Sequence, residues 1–217
     1  LTVGENEFVS VVGPSGCGKS TLLRSIAGLV SYDEGNMNIN GGTSYLQQKT
    51  MLMPWRNVYD NANLPLELKS GKKTKGNPKV LDLLNEFGLE GFENHMPGEL
   101  SGGMAKRAAL ARTYLEDREI LLLDEPFSSL DAISRKAMQK WLLEVWESHR
   151  KSVVFVTHDI DEALLLSDKV YMLSGRPATV TGELVPGFNR PRDFDIVYTP
   201  IFMEKKKFIE KNLLENI

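Results

Sequence analysis

Short apolar runs alternate with helical patterns towards both ends of the chain. The run over residues 7–12 leads into a glycine-rich turn, and residues 19–30 then place apolar side chains at helical spacing. Residues 120–123 and 153–156 are continuous apolar runs of strand length, which is typical of parallel strands covered by helices on both faces. The helical stripe between these two runs consists of Leu130, Ile133, Ala137, Met138, Trp141, Leu142 and Val145. This alternation predicts an α/β fold with a parallel sheet.

The middle of the chain lacks this alternation. Three segments have helical periodicity with no strand-like run between them, namely residues 57–68, 78–87 and 101–115. We therefore predict a helical subdomain over residues 57–115. It would be inserted into a sheet domain formed by residues 1–56 and 116–217, so that residues 1–217 make a single domain.

The C-terminal part predicts a further pair of strands and a helix. The strand pair is expected after residues 168–172 and a turn at residues 175–177. The last segment has helical spacing, with one apolar face formed by Phe202, Ile209 and Leu213.

The composition is that of a globular protein without a global charge field. Apolar residues make up 41% and charged residues 25% of the chain, close to the averages of soluble domains. The 26 Lys and Arg against 29 Asp and Glu give a net charge of -3, so no overall positive field exists to hold nucleic acid or an anionic membrane. The single cysteine, Cys17, cannot form an internal disulfide, which fits a reducing compartment. No apolar run approaches the roughly 20 residues that cross a bilayer.

The clearest chemical signal is a phosphate-binding loop. Its sequence, GPSGCGKS, fits the pattern G-x-x-x-x-G-K-[ST] and lies between a strand and a helix, where the mechanism requires it. The glycines let backbone N–H groups turn towards phosphate oxygens, and the helix N-terminus adds positive charge. Lys19 would reach the β- and γ-phosphates, and Ser20 would bind Mg²⁺. The residues expected to contact the nucleotide are Gly13, Pro14, Ser15, Gly16, Cys17, Gly18, Lys19, Ser20 and Thr21.

Two adjacent acids, Asp124 and Glu125, end the apolar run over residues 120–123. Open α/β sheets bind ligands beyond the carboxyl ends of their strands. Asp124 can therefore hold Mg²⁺ through water, while Glu125 can orient or deprotonate an attacking water. Strand ends often carry surface acids, and it is the phosphate-binding loop that makes this pair a Walker B motif.

A second phosphate-binding helix start is predicted at residues 101–103. Ser101 is a good N-cap, and Gly102 and Gly103 leave backbone N–H groups open to an anion. An isolated Ser-Gly-Gly would indicate only an ordinary helix start. The order of the motifs along the chain decides between these two interpretations.

Taken in order, these motifs resemble the nucleotide-binding subunit of ATP-binding cassette (ABC) transporters. The series runs through nearly the whole chain and consists of the phosphate-binding loop, Gln48, residues 100–103, 123–125 and 128–131, and His158. The resemblance implies the P-loop NTPase fold of ABC ATPases, ATP hydrolysis, and ATP and Mg²⁺ as cofactors. It also implies that two subunits pair head to tail with two ATP molecules between them.

The resemblance also implies a role for each further residue of the series. Residues 101–103 would close over the phosphates held by the partner subunit. Gln48 would contact Mg²⁺ and the attacking water, and His158 would contact the γ-phosphate and link it to Glu125. Asp131 would lie across the dimer seam. A lone histidine is more often structural, and only the position of His158 just after a buried strand favours the catalytic role.

Two departures from the family pattern are visible. Met104 stands where many members carry Gln, which leaves the phosphate-facing backbone intact, so activity is expected. Members also place an aromatic residue that stacks on adenine roughly two dozen residues before the loop, whereas only 12 residues precede Gly13 here. We therefore expect the chain to be incomplete at its N-terminus, without the adenine-stacking residue and the first strand.

The segment after Gln48 favours one branch of the family. Residues 48–58, QKTMLMPWRNV, and residues 191–193 resemble importers of the nitrate, sulfonate and taurine class. Met51, Met53 and Trp55 could be core residues, but a Met-rich apolar groove also suits a short helix of a membrane protein. The resemblance then implies a peripheral protein at the cytoplasmic face of the cell membrane. Its partners would be a second copy or a homologous subunit, a permease and, through the permease, a solute-binding protein.

Two other functions stay open at this stage. One is a soluble ABC ATPase that acts on ribosomes or DNA, but such proteins usually carry two cassettes or a coiled-coil insertion, and the net charge does not suit a nucleic-acid partner. The other is a nucleotide-binding switch without turnover, which the presence of Glu125 and His158 disfavours. The transported solute is not encoded in this subunit, because the permease and the binding protein would contact it.

Overall fold

A twisted sheet of six strands forms the centre of the molecule in the computed structural model, which describes residues 1–216. The strands are β1 Phe8–Val12, β2 Thr43–Leu46, β3 Ile120–Asp124, β4 Ser152–Val156, β5 Lys169–Leu173 and β6 Val180–Leu184. Their order across the sheet is β2-β3-β4-β1-β5-β6. Every pairing among β1 to β5 is parallel, and β6 pairs antiparallel with β5.

Helices connect the strands and cover the sheet. They are α1 Lys19–Ile26, α2 Val58–Ser70, α3 Pro78–Glu86, α4 Gly102–Leu115, α5 Ala132–His149, α6 Ile160–Leu166 and α7 Pro200–Glu215. Two short 3₁₀ helices lie at Pro97–Glu99 and Phe194–Tyr198. Within residues 1–216, no helix combines the length and the apolar character needed to cross a membrane.

The chain between β2 and β3 folds as helices alone, and these helices pack on one another. Helix α2 lies along α4, and α3 contacts both. Asn57 begins α2 by accepting a hydrogen bond from the Asp60 N–H at 2.7 Å, and Asn77 begins α3 in the same way. The prediction of an α/β fold with a helical segment inserted into a parallel sheet is confirmed.

Successive strand residues are buried on opposite faces of the sheet. On β3, Leu121 and Leu123 belong to the larger core cluster, whereas Leu122 faces the other one. Phe8 of β1 lies in the larger cluster, edge-on to Trp146 with ring centroids 5.7 Å apart. Burial on both faces explains why these strands are continuous apolar runs in the sequence.

The prediction of two paired strands near the C-terminus was wrong. Only β6 forms after the turn, and it pairs with β5 instead of with a further strand. Pro186 and Pro191 have no N–H to donate to a ladder, and Gly187 turns the chain with a φ of +69°. The backbone between β6 and the second 3₁₀ helix therefore runs without strand pairing.

The central position of Phe8 predicts a large loss of stability on truncation. Phe8→Ala would leave a cavity beside Trp146 and Phe155, so we expect the free energy of unfolding to fall by about 3–5 kcal/mol. Urea denaturation measures this change. Phe208→Ala removes the same atoms from a side chain that is 51% exposed, and it should stay within about 0.5 kcal/mol of the wild type. Equal losses in the two variants would contradict the packing described here.

Candidate active site

The loop between β1 and α1 folds around the side chain of Lys19. Lys19 is only 5% exposed, and its Nζ donates to the Gly13 carbonyl at 2.8 Å and to the Pro14 carbonyl at 2.9 Å. Gly16 and Gly18 have φ values of +76° and +113°, a region in which other residues are strained. These glycines allow the loop to turn tightly enough to enclose the ammonium group.

The N-terminus of α1 differs from those of the other helices. In residues 1–216, a side chain caps the start of each helix from α2 to α7, namely Asn57, Asn77, Ser101, Asp131, Asp159 and Thr199. The N-cap position of α1 is Gly18, which has no side chain to cap the helix. The first N–H groups of a helix attract anions. An uncapped helix start beside a buried lysine fits the phosphates of a nucleotide.

A buried carboxylate lies beside this loop at the end of β3. Asp124 is 2% exposed, and it accepts hydrogen bonds from Ser20 Oγ and from the Tyr45 hydroxyl, both at 2.8 Å. Burial and the bond to Asp124 raise the pKa of Tyr45 to about 12, so Tyr45 stays a neutral donor. A buried carboxylate is costly unless a cation or strong donors pair with it. Ser20 and Asp124 therefore fit Mg²⁺, which prefers oxygen ligands.

The remaining ligands for such an ion would come from outside the protein. In the part of the chain that the structure describes, no cluster of three or more His, Cys, Asp or Glu side chains could hold a metal by itself. Mg²⁺ typically binds through one or two protein ligands together with substrate phosphates and water. The Ser20 and Asp124 pair therefore suits a metal that arrives with a nucleotide.

Glu125 adopts a strained backbone that directs its side chain into a polar cluster. Its φ is +43°, uncommon for a residue with a side chain, and its N–H donates to the Val156 carbonyl at 2.9 Å. One carboxylate oxygen accepts from Gln48 Nε2 at 3.1 Å, and the other lies 3.3 Å from His158 Nδ1. Backbone strain of this kind concentrates at functional sites. The structure thus brings Gln48, Glu125 and His158 together at one edge of the sheet.

The buried carboxylate of Glu162 fixes the backbone that leads into His158. Thr157 donates its hydroxyl to Glu162 at 2.6 Å, and Gln139 donates to the other oxygen of the same carboxylate at 3.1 Å. Burial raises the pKa of Glu162. Asp159 then caps α6 through the N–H groups of its first turn. His158, between Thr157 and Asp159, is itself half exposed.

The predicted second phosphate site lies apart from the first. Ser101 caps α4 by accepting from the Met104 N–H at 3.3 Å, and Ser101 and Gly102 are exposed. No hydrogen bond within residues 1–216 joins residues 101–103 to the phosphate-binding loop of the same chain. Asp131 caps α5, and hydrogen bonds led by the Ser134 side chain lower its pKa. Neither Ser101 nor Asp131 belongs to the cluster around Glu125.

Three residues of this region were not identified from the sequence. They are Tyr45, which bonds Asp124, and Lys106 and Arg112, which bond the backbone that follows β2. A lysine on the buried face of α4, between alanines, was the available signal for Lys106. Tyr45 had no such signal, because Thr43–Leu46 is short and half polar.

Comparison with known proteins gives a consistent result. A family model described as ABC transporter matches residues 1–128. An uncharacterized ABC transporter ATP-binding protein of Methanocaldococcus jannaschii is 43% identical over the whole chain and 83% of its own length. The aliphatic sulfonates import ATP-binding protein SsuB 2 of Burkholderia lata is 45% identical over 89% of this chain and 72% of its own length. The formylaminopyrimidine import ATP-binding protein ThiZ of Halalkalibacterium halodurans is 43% identical over 82% of this chain and 72% of its own length.

Solved structures agree with this result. A dimeric structure of a bacterial ABC transporter cassette has a TM-score of 0.74 and 32% identity, and the match covers 87% of this chain and 89% of that one. A second dimeric structure of the same cassette, in a post-hydrolysis state bound to ADP and Pi, matches equally well. The expected fold of ABC ATPases is confirmed.

The position of Lys19 predicts its importance for nucleotide binding. Lys19→Ala removes a cation from the phosphate-binding loop, so ATP binding in the presence of Mg²⁺ should be nearly abolished. Isothermal calorimetry measures the affinity. Lys211→Ala, at an exposed position on α7, is the matched control and should bind ATP like the wild type. Unchanged ATP affinity in Lys19→Ala would refute the assignment of this loop.

Proposed function

Because the chain belongs to the ABC transporter family and is therefore an ATP-binding ATPase, we propose that it powers the import of a solute through a membrane permease. The observation that carries the hydrolytic part is the contact of Gln48 and His158 with the two carboxylate oxygens of Glu125, beside the phosphate-binding loop. The names of the sulfonate and formylaminopyrimidine import proteins support the direction of transport.

In this proposal, the residues divide the work of hydrolysis. The backbone N–H groups of residues 15–20 and the Lys19 ammonium bind the phosphates and stabilise the charge that develops on them. Glu125 orients a water molecule and accepts its proton, and Gln48 and His158 hold the carboxylate in place. His158, being half exposed, also reaches the γ-phosphate. Mg²⁺, held by Ser20 and Asp124, would supply charge compensation at the phosphates.

We further propose that two chains close head to tail over two ATP molecules. Ser101 and Gly102 are exposed and Gly103 is partly exposed, so that residues 101–103 form a helix start suited to an anion. In the described residues, they do not bond the phosphate-binding loop of their own chain. A partner chain turned by 180° would bring them over the phosphates held by Gly13–Ser20. Asp131, at the start of α5, would lie at the seam. The dimeric state of the related cassettes supports this arrangement.

The permease would dock on the segment between Gln48 and α2. Trp55 is 72% exposed. Met51, four residues earlier, is also exposed, whereas Met53 is only partly exposed. Exposed apolar side chains on one short segment suit the insertion of a helix from a partner. The chain would thus work at the cytoplasmic face of the membrane, and the permease and its solute-binding protein would select the solute.

The role of Glu125 can be tested by separating binding from turnover. Glu125→Gln should keep ATP bound and slow hydrolysis by about 10²–10⁴-fold, the usual contribution of a positioned general base. Closed dimers should then accumulate with ATP and Mg²⁺, as sedimentation would detect. Glu204→Gln makes the same change at an exposed site on α7 and should leave turnover unchanged. If Glu125→Gln binds ATP but stays monomeric, the head-to-tail model is wrong.

Cell fractionation tests the membrane partner. The wild type, expressed in its native host, should sediment with membranes in a complex with a permease. Trp55→Ala should shift it to the soluble fraction because the main exposed apolar contact is lost. Tyr198→Ala, an equally exposed aromatic far along the chain, should keep the wild-type distribution. Recovery of the wild type with ribosomes or nucleoid would instead support a soluble ABC ATPase.

A further inference from the structure

Side chains of α4 bond the backbone of the segment that begins at Gln48. Lys106 Nζ donates to the Gln48 carbonyl. Six residues further along α4, Arg112 donates to the Met51 carbonyl at 2.7 Å and to the Thr50 carbonyl at 3.0 Å. Two cationic side chains of α4 therefore attach the backbone of residues 48–51 to this helix.

The burial of Lys106 is unusual and costly. Lys106 is 4% exposed, and lysines are almost never buried to this extent unless they are paired with an acid. Its hydrogen-bond acceptor is a neutral carbonyl. Burial lowers the pKa of Lys106, while the negative charge of Asp124 acts in the opposite direction. The ammonium group thus lies in the field of the carboxylate that pairs with Ser20.

Helix α4 extends from Lys106 to the exposed phosphate site of residues 101–103. Ser101 caps the helix, and Lys106 follows five positions later, about 7.5 Å along the axis at 1.5 Å per residue. A continuous helix moves as a rigid element over this distance. If Ser101 moves, Lys106 moves with the same helix, and its hydrogen bond to the Gln48 carbonyl transmits the movement to the Gln48 backbone.

We propose that Lys106 is a positioning residue that fixes the backbone of Gln48 so that the Gln48 side chain meets Glu125. Lys106 does not touch the nucleotide; it acts through Gln48 and joins the hydrolytic cluster to the helix that begins at Ser101. This inference rests on the proposed role of Gln48 in hydrolysis. The hydrogen bond between Gln48 Nε2 and Glu125 then depends on a cation in the neighbouring helix.

The first test separates turnover from binding. Lys106→Met keeps the length of the side chain but removes both charge and donor, and it should lower kcat by about 10- to 100-fold, as expected for a misplacement of about 1 Å. The affinity for ATP should change by less than about 2-fold, because no contact with the phosphate-binding loop is lost. Lys106→Arg, which restores a cationic donor, should recover part of kcat. Equal losses in kcat and ATP affinity would overturn the proposal.

Arg107 provides a matched control on the same helix. Its guanidinium lies 5.4 Å from the centroid of the Trp141 ring and donates to Met138, away from the Gln48 segment. Arg107→Met removes the same charge from α4 and should keep kcat within about 2-fold of the wild type. If Arg107→Met slows turnover as much as Lys106→Met, the effect belongs to the helix as a whole and the proposal fails. If Lys106→Met does not fold, Lys106→Leu, which also lacks charge and donor, replaces it, with thermal melting as the check.

A double-mutant cycle with Gln48→Ala tests the route of the effect. If Lys106 acts through the Gln48 side chain, adding Lys106→Met to Gln48→Ala should lower kcat by less than about 2-fold more. Multiplication of the two losses would show that Lys106 acts elsewhere and would overturn the proposal. If Gln48→Ala leaves kcat unchanged, the proposed role of Gln48 fails along with this inference. If Gln48→Ala slows turnover and Lys106→Met does not, only the inference about Lys106 fails.

Discussion

The buried carboxylate of Asp124 joins three separate parts of the chain at one edge of the sheet. It is held by Ser20 at the start of α1 and by Tyr45 on β2, and it ends β3 itself. Both of these partners are neutral hydroxyl groups, which do not balance a buried negative charge. Because these hydrogen-bond partners carry no charge, the carboxylate suits a cation that comes with a substrate. The parallel order of the strands makes this possible, because their carboxyl ends all reach the same edge.

The residues proposed to act in hydrolysis around this carboxylate come from two structural units. Glu125 and His158 follow sheet strands, whereas helix α4 of the inserted segment holds the Gln48 carbonyl through Lys106 and the carbonyls of Thr50 and Met51 through Arg112. Gln48 meets Glu125 only when the inserted helices and the sheet hold their present relative position. A change in the position of the helices would therefore alter the contact of Gln48 with Glu125. Such dependence suits an ATPase whose turnover is coupled to transport.

The sequence predicted those parts of the molecule whose chemistry is local. Residues 13–20 and the acid pair were recognisable because phosphate and metal binding dictate residue type and spacing within a few positions. Tyr45 and Asp124 lie 79 positions apart in the sequence, and Lys106 and Gln48 lie 58 positions apart. No local sequence pattern predicts contacts between residues so far apart. Strand β2 was not predicted because it is short and half polar, and an expected strand pair failed where prolines interrupt the backbone donors. Long-range contacts thus account for the missed roles of Tyr45 and Lys106, whereas local sequence accounts for the two errors in strand prediction.

We propose that the phosphates bound by one chain are closed over by the helix start at Ser101 of another. A crystal structure with Mg²⁺ and a non-hydrolysable ATP analogue tests this arrangement. We expect two chains related by a two-fold axis, with the triphosphate between Lys19 of one chain and Ser101 of the other. Glu125 should lie on the side of the γ-phosphate where a water molecule attacks. A nucleotide fully bound by one chain, with Ser101 of both copies exposed to solvent, would rule out the head-to-tail dimer.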